Sequence, residues 1–285
     1  MLTYAKPEIE GFEERFLSVS GTRMRYLAGG SGPPVVLVHG LGGAAANWRL
    51  VAPALAAGRR VLVPDLPGHG GSGPLLGDPG TLDPFAEVVL ALAEAEAAVP
   101  APWIGHSLGG LLSLRAASLR PEAVSGVVLA AAAGISSASR IGRVTVTLIG
   151  VARPGRMLGR RRKLVARSRV GRTVAFGWWG VADPAALDRE MAESFLAGPT
   201  RHTDTLTAGK ALVASDPRAD LQRVMCPCLC LWGANDNWVP VADGMEYARR
   251  LGAPFRAIAD CGHLLIGERP DAVVRAVNEF LASLA

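Results

Sequence analysis

The sequence predicts an α/β fold, a mainly parallel sheet flanked by helices with an inserted helical cap. Short continuous apolar runs alternate with helical stretches over the first 134 residues and again from about residue 221. That alternation is the mark of strands buried on both faces and joined by helical crossovers. The stretch between changes character, becoming Arg-rich with Gly and Pro breaks. At 285 residues, 49% apolar and 19% charged, the chain has the profile of a globular protein able to bury a sizeable core.

Arg15–Val19 and Met24–Leu27 flank the turn Ser20-Gly21 and read as an opening antiparallel hairpin. Val35–Val38 is a buried-strand run, followed by a Gly-rich turn and a helical stretch over Trp48–Ala57. Further strands are expected at Arg60–Val63, Pro102–Gly105 and Val124–Ala131, the second followed by an Ala/Leu-rich helix to Arg120. Residues 135–220 read as the helical cap, broken at Pro154-Gly155, Gly171, Gly177 and Gly180. Residues 221–285 resume the alternation: a strand over Cys228–Trp232, a helix over Val239–Leu251, a strand near Phe255–Ile258 and a closing helix over Pro270–Leu284.

The N-terminus lacks a basic start followed by an apolar run, so a cytoplasmic location is the expectation. The longest uncharged apolar stretch, Val124–Ser139, is 16 residues and rich in Ala, Gly and Ser, too short for a membrane span. Cys226, Cys228 and Cys230 alternate, which in extended chain places them on one face, a pattern of packing more than of a zinc ribbon. Cys261 reads as a small residue near a pocket, with oxidation sensitivity as the alternative. The net charge of +5 is local: residues 135–215 hold 14 Arg or Lys against 5 Asp or Glu, leaving 16 against 20 elsewhere. The basic run Arg153–Arg172 is expected either to attract anionic substrates or a membrane surface weakly, or to be a solvated helix face. No nucleic-acid reader motif accompanies it.

The chemistry-bearing motif is Gly105-His106-Ser107-Leu108-Gly109-Gly110, between an apolar strand and a helix. A tight strand-to-helix turn lifts a serine hydroxyl above the sheet, small residues on either side let backbones approach, and the helix N-terminus offers free amides. The serine needs an oriented base. Of the five histidines, His39 ends a strand, His69 sits in a Gly-rich loop, His106 adjoins the serine and His202 falls in the cap. Only His263 follows a late strand in a polar loop. The acid that holds such a base is expected at Asp236, at the C-terminal end of a buried strand. No Asp or Glu lies between Glu122 and Asp183 to supply one after the preceding strand, and Asp260 is only three residues from His263.

The order Ser107, Asp236, His263 resembles that of the α/β-hydrolase superfamily, and the resemblance extends to four loops. These are Val35–Gly43 with its His39-Gly40 step, Asp65–Ser72, the Gly233–Asp236 turn, and Cys261-Gly262-His263 followed by Glu268-Arg269-Pro270. It covers residues 15–134 and 222–284 and leaves the cap out. It implies the α/β-hydrolase fold, a carboxylesterase-like serine hydrolase, an oxyanion hole from the backbone N–H groups of Leu41 and Leu108, and loop-tying roles for Asp65 and His69. The substrate is expected to be a small-molecule ester, with no metal, organic cofactor or nucleic acid required. Ser107 stands where epoxide hydrolases and haloalkane dehalogenases have Asp, and Leu41 where cofactor-free haloperoxidases often have an aromatic residue. Leu264 stands where carbon–carbon bond hydrolases commonly have Trp, which lowers that alternative and leaves enol-lactone hydrolysis open. A non-catalytic binding relative is a second class, disfavoured because all three triad positions are filled. Contacts to substrate are expected from His106, Leu264, Trp178 and Trp179; the tryptophans and Phe176 would line an apolar pocket or pack the cap onto the core.

Overall fold

The computed structural model describes residues 8–77, 79–136 and 159–284. Eight strands form one sheet in the order β1-β2-β4-β3-β5-β6-β7-β8. The opening hairpin joins β1 (Phe12–Val19) and β2 (Thr22–Gly29). Its turn residues Ser20 and Gly21 both have positive φ, 48° and 77°, the conformation that matches a two-residue hairpin to strand twist. The hairpin pairs antiparallel with β4, and every remaining pairing is parallel.

β3 (Pro34–Val38) leads into a 3-10 turn (Ala45–Trp48) and a short helix, α1 (Ala52–Ala56). The sequence predicts one helix over Trp48–Ala57. The structure divides it because Pro53 lies at the start of α1, where its missing N–H costs nothing but where it cannot extend a helix from upstream. β4 (Arg60–Pro64) is followed by α2 (Asp83–Ala95), an element the sequence reading does not identify. Its signal is present: Asp83-Pro84 at the start, then buried Phe85, Val88, Val89 and Leu92 at helical spacing. β5 (Ala101–His106), α3 (Leu108–Leu119) and β6 (Val124–Ala130) follow as expected.

Between β6 and β7 the described chain is helical: α4 (Arg162–Arg167), α5 (Arg169–Gly180), α6 (Arg189–Arg201) and α7 (Thr205–Ala214). These helices carry a small core of their own, built on Ala166, Phe176, Val181, Leu187, Met191 and Leu196, with Leu264 at its edge. The sheet then resumes with β7 (Cys228–Gly233), α8 (Val241–Leu251), β8 (Phe255–Ile258), the short α9 (Leu265–Glu268) and α10 (Pro270–Ala282). α8 begins two residues later than expected because Pro240 occupies its N-cap. α2 packs on α3, which lies over β5 and β6; α1 packs on α10, which lies against β7. No described helix is long and apolar enough to cross a membrane.

Cys228 and Cys230 are buried in β7, and Cys261 is fully buried. Burial pushes the Cys230 thiol up to about 12 and raises Cys261 further, so both act as packing groups.

Candidate active site

β5 ends at His106 and α3 begins at Leu108, so Ser107 alone turns the chain from strand to helix. It does so at φ 54°, ψ −118°, a conformation that costs a non-glycine residue about 1–3 kcal/mol and persists only where its surroundings impose it. Those surroundings are explicit. Ser107 N–H donates to Ala130 O at 3.0 Å, and its carbonyl accepts from Gly110 N at 3.0 Å and Ala133 N at 3.1 Å. A Cβ at Gly105 would stand 2.2 Å from Gly109 O, and one at Gly109 would stand 2.2 Å from Val38 O. The glycines on each side of the serine are therefore required by close backbone approach.

The loop after β3 closes against the same turn, since a Cβ on Gly40 would lie 3.0 Å from Ser107 Cβ. His39 shapes this loop. Its Nδ1 donates to Gly40 O at 2.8 Å, and its Nε2 accepts from Leu66 N at 2.9 Å. Burial lowers its pKa to about 3, which keeps the ring neutral for both bonds. Leu108 is the first residue of α3, so its N–H has no acceptor within the helix. Leu41 follows Gly40 directly, which puts the two backbone segments expected to form an oxyanion hole beside Ser107.

Asp236 lies beyond the end of β7 with its side chain fully buried. Its Oδ1 accepts from Trp238 N and Val239 N, both at 2.8 Å, and its Oδ2 accepts from His263 Nδ1 at 2.9 Å. That bond fixes the His263 tautomer and leaves Nε2 as the proton acceptor. His106 Nε2 donates to the His263 carbonyl at 2.9 Å, and the two rings lie 5.0 Å apart. The residue before Ser107 thus holds the His263 loop at the C-terminal ends of the parallel strands. Ser107 is 8% exposed, and Asp236 and His263 are each 6% exposed, so all three are largely shielded from water. A cavity of about 220 Å³ on the flank of α3, lined by Leu82, Leu111, Leu114, Arg115, Pro217 and Leu221 among others, shares no residue with it.

The structure gives two of the residues expected to contact substrate partners within the protein. His106 is buried, its Nε2–H is committed to His263, and burial together with the neighbouring His263 lowers its pKa to about 3. It holds the His263 loop from beneath. Leu264 packs against the core of the inserted helices. Phe176 belongs to that core too, edge-on to Phe195 at 6.4 Å. The side chains of Trp178 and Trp179 and the Arg153–Leu158 part of the basic run lie outside the described residues. Of the remaining run, Arg160, Arg161, Lys163, Arg167 and Arg169 are exposed, while Arg172 donates to the carbonyls of Ala166, Pro184 and Ala185.

Asp65 is fully buried and accepts from Ala45 N, Gly71 N and Arg25 Nη1, tying its own loop to the loop after β3 and to β2. Burial opposes the Arg25 charge, yet Asp65 and the nearby Glu14 and Glu8 hold its pKa above the ordinary range. His69 is likewise structural: buried, neutral, and donating from Nδ1 to Pro67 O at 3.0 Å. His202, placed by the sequence only in the cap, accepts from Gly70 N at 3.1 Å and donates to Gly42 O at 2.8 Å. It joins the end of α6 to the loop that carries Leu41. Nothing local in the sequence marks that long-range role.

The sequence matches the alpha/beta hydrolase fold family over residues 33–270. It is 33% identical over 271 residues to the dihydrolipoyllysine-residue acetyltransferase component of the acetoin cleaving system of Pseudomonas putida, covering 92% of this chain and 68% of that protein. A pimeloyl-[acyl-carrier protein] methyl ester esterase of Methylococcus capsulatus is 32% identical, with 89% of this chain and 96% of that protein covered. A 2-hydroxymuconate semialdehyde hydrolase of a Pseudomonas species is 27% identical, with 94% and 93% covered. Among solved structures, a putative lipase from Acinetobacter baumannii superposes with a TM-score of 0.77 at 24% identity, over 96% of this chain and 92% of that one. The eight-stranded sheet, the serine turn between β5 and α3, and these matches together establish that the chain belongs to the alpha/beta hydrolase fold family.

Proposed function

We propose that this protein is a serine hydrolase that cleaves carboxylic esters through an acyl-enzyme on Ser107. The observation that carries the reading is the buried Asp236–His263 pair, with His263 Nδ1–H on the carboxylate at 2.9 Å, beside the strained turn at Ser107. His263 Nε2 takes the Ser107 proton as Oγ adds to the ester carbonyl. The carbonyl oxygen becomes an oxyanion held by the N–H groups of Leu41 and Leu108, donors that contribute about 10² to 10³ in rate each. Collapse of the tetrahedral intermediate breaks the acyl–oxygen bond, and the alkoxide leaves with the proton from His263. Water, deprotonated by His263, then attacks the acyl-enzyme, and Ser107 recovers its proton as the acid departs. Every proton moves between named groups, and no atom changes oxidation state.

The inserted helices act in this reading as a cap. Ser107 and His263 are buried, and α6 rests on the 3-10 turn that follows the β3 loop. Their exposed cations favour esters that carry a negative group. The methyl ester esterase relatives support the ester. A second reading, hydrolysis of a carbon–carbon bond in a vinylogous diketone, is supported by the relatives named 2-hydroxymuconate semialdehyde hydrolase and 2-hydroxy-6-oxo-2,4-heptadienoate hydrolase.

The test is a panel of short-chain p-nitrophenyl esters, lactones and ring-cleavage diketones assayed with the wild type and Ser107→Ala. Ester turnover that vanishes in a folded S107A is the expected result. Preference for the diketones replaces the first reading with the second, and full residual ester activity in S107A overturns both.

A further inference from the structure

The His263 loop is joined to the inserted helices by a set of backbone bonds that the triad chemistry does not use. Gly180, the last residue of α5, accepts through its carbonyl from His263 N at 3.1 Å and from Leu264 N at 3.2 Å. Glu268, at the end of α9, reaches back with its carboxylate to both partners of this junction. Its Oε2 accepts from Ala182 N at 2.7 Å and from Gly262 N at 3.0 Å. Gly262 is the residue before His263, and a Cβ there would stand 2.8 Å from Val181 Cα, so the two strands of chain are in direct contact. One side chain therefore bridges the residue before the base and the residues that leave the inserted helix.

The last turn of α5 is also set apart from the rest of that helix. Gly177 interrupts it at φ 50°, ψ −174°, a backbone conformation that glycine adopts freely and other residues do not. Residues 178–182 hence form a foot that leaves the helix at a bend and is fastened to the His263 loop. A helix that shifts about Gly177 moves against a foot held at its far end by Glu268.

We propose that Glu268 is a positioning residue: its carboxylate ties the placement of His263 to the foot of the inserted helices, so that the base is in register only when that foot is seated. The proposal rests on the reading of His263 as the general base. The carboxylate accepts from both sides of one junction, so its removal loosens the foot and the His263 loop together. Burial raises its carboxyl pKa, opposed by the backbone N–H groups of Ala182, Gly262 and Leu264 and by the charge of Arg269.

The experiment compares the wild type with Glu268→Ala and Glu268→Gln in full-length protein. Steady-state kinetics on a p-nitrophenyl ester is read beside hydrogen exchange of peptides covering 180–182 and 262–264. In E268A, kcat falls about 10- to 100-fold, the scale of a slightly misplaced catalytic group, with KM held within about twofold. Exchange rises in both segments together. Gln keeps one acceptor oxygen at the Oε2 position, so E268Q recovers most of kcat and of the protection. Loss of thermal stability with unchanged kcat in E268A would make Glu268 purely structural and overturn the proposal. So would faster exchange in only one segment, or failure of E268Q to recover. If E268A does not fold, Glu268→Asp, which keeps the charge and loses the reach, decides by the same two measurements. A wild type inactive on every ester defeats the proposed function instead, and the exchange data still decide the coupling.

Discussion

Asp236 makes three hydrogen bonds from a fully buried position, and only one of them goes to His263. The other two hold the carboxylate still, so its effect on His263 is one of tautomer and orientation. Asp236→Asn keeps the shape but can present its amide N–H₂ to Nδ1, which turns the ring to the wrong tautomer. We expect kcat on the preferred ester to fall by about 10⁴ with the fold intact. A loss under about tenfold would remove Asp236 from the mechanism. At this scale the proposed triad could be named from the sequence because the alternatives were few. Three of the five histidines fall next to a strand end, a glycine loop or the serine itself, the fourth falls in the inserted helices, and the structure gives each of the four a backbone partner. The partners of His106, His202 and Glu268 were not legible. They are backbone groups 157, 160 and 86 residues away, and a backbone carbonyl or amide leaves no signature in a sequence.

The strand–turn–helix unit around Ser107 is the element on which the site depends, and its glycines set a sharp test. Gly109→Ala places a methyl carbon 2.2 Å from Val38 O, where rigid strand backbone cannot give way. We expect a loss of about 1–3 kcal/mol in urea unfolding, the range of overpacked interiors, accompanied by loss of turnover. Wild-type stability in that variant would mean that β3 and α3 are further apart than described. Elements of the sheet were read correctly because runs such as Val35–Val38 and Cys228–Trp232 are apolar on both faces. The helices were read less well, each for a local reason. α2 was hidden in a stretch read for its strands and loops. The helix expected over Trp48–Ala57 breaks at Pro53, and α8 starts late at Pro240, because proline fixes where a helix can begin.

The whole molecule carries three buried neutral histidines, His39, His69 and His106, whose pKa values burial lowers, to about 3 for the first and last. In the unfolded chain each takes a proton near the ordinary value of about 6.5, so below that pH the unfolded state binds more protons. Stability that is fully present above about pH 6.5 is therefore lost as the pH falls toward 3. Urea unfolding should weaken over that window at up to about 1.4 kcal/mol per pH unit for each histidine, and a stability flat between pH 6.5 and 4 would refute their burial. Charge acts at this scale too. Residues 160–172 hold seven Arg or Lys and no acid, on the first two of the described inserted helices. For an ester bearing a carboxylate, kcat/KM should fall several-fold on raising salt from about 0.01 to 0.15 M, while a neutral ester of the same length is unaffected. Equal salt dependence for both would make the basic face a solvated surface. The account as a whole stands on a covalent intermediate at Ser107. Intact-protein and peptide mass spectrometry after reaction with a fluorophosphonate probe measures it most directly. One adduct on the peptide containing Ser107, absent in S107A and much slowed in Asp236→Asn, is the predicted result. A folded, unlabelled wild type, or an adduct on any other residue, would contradict it.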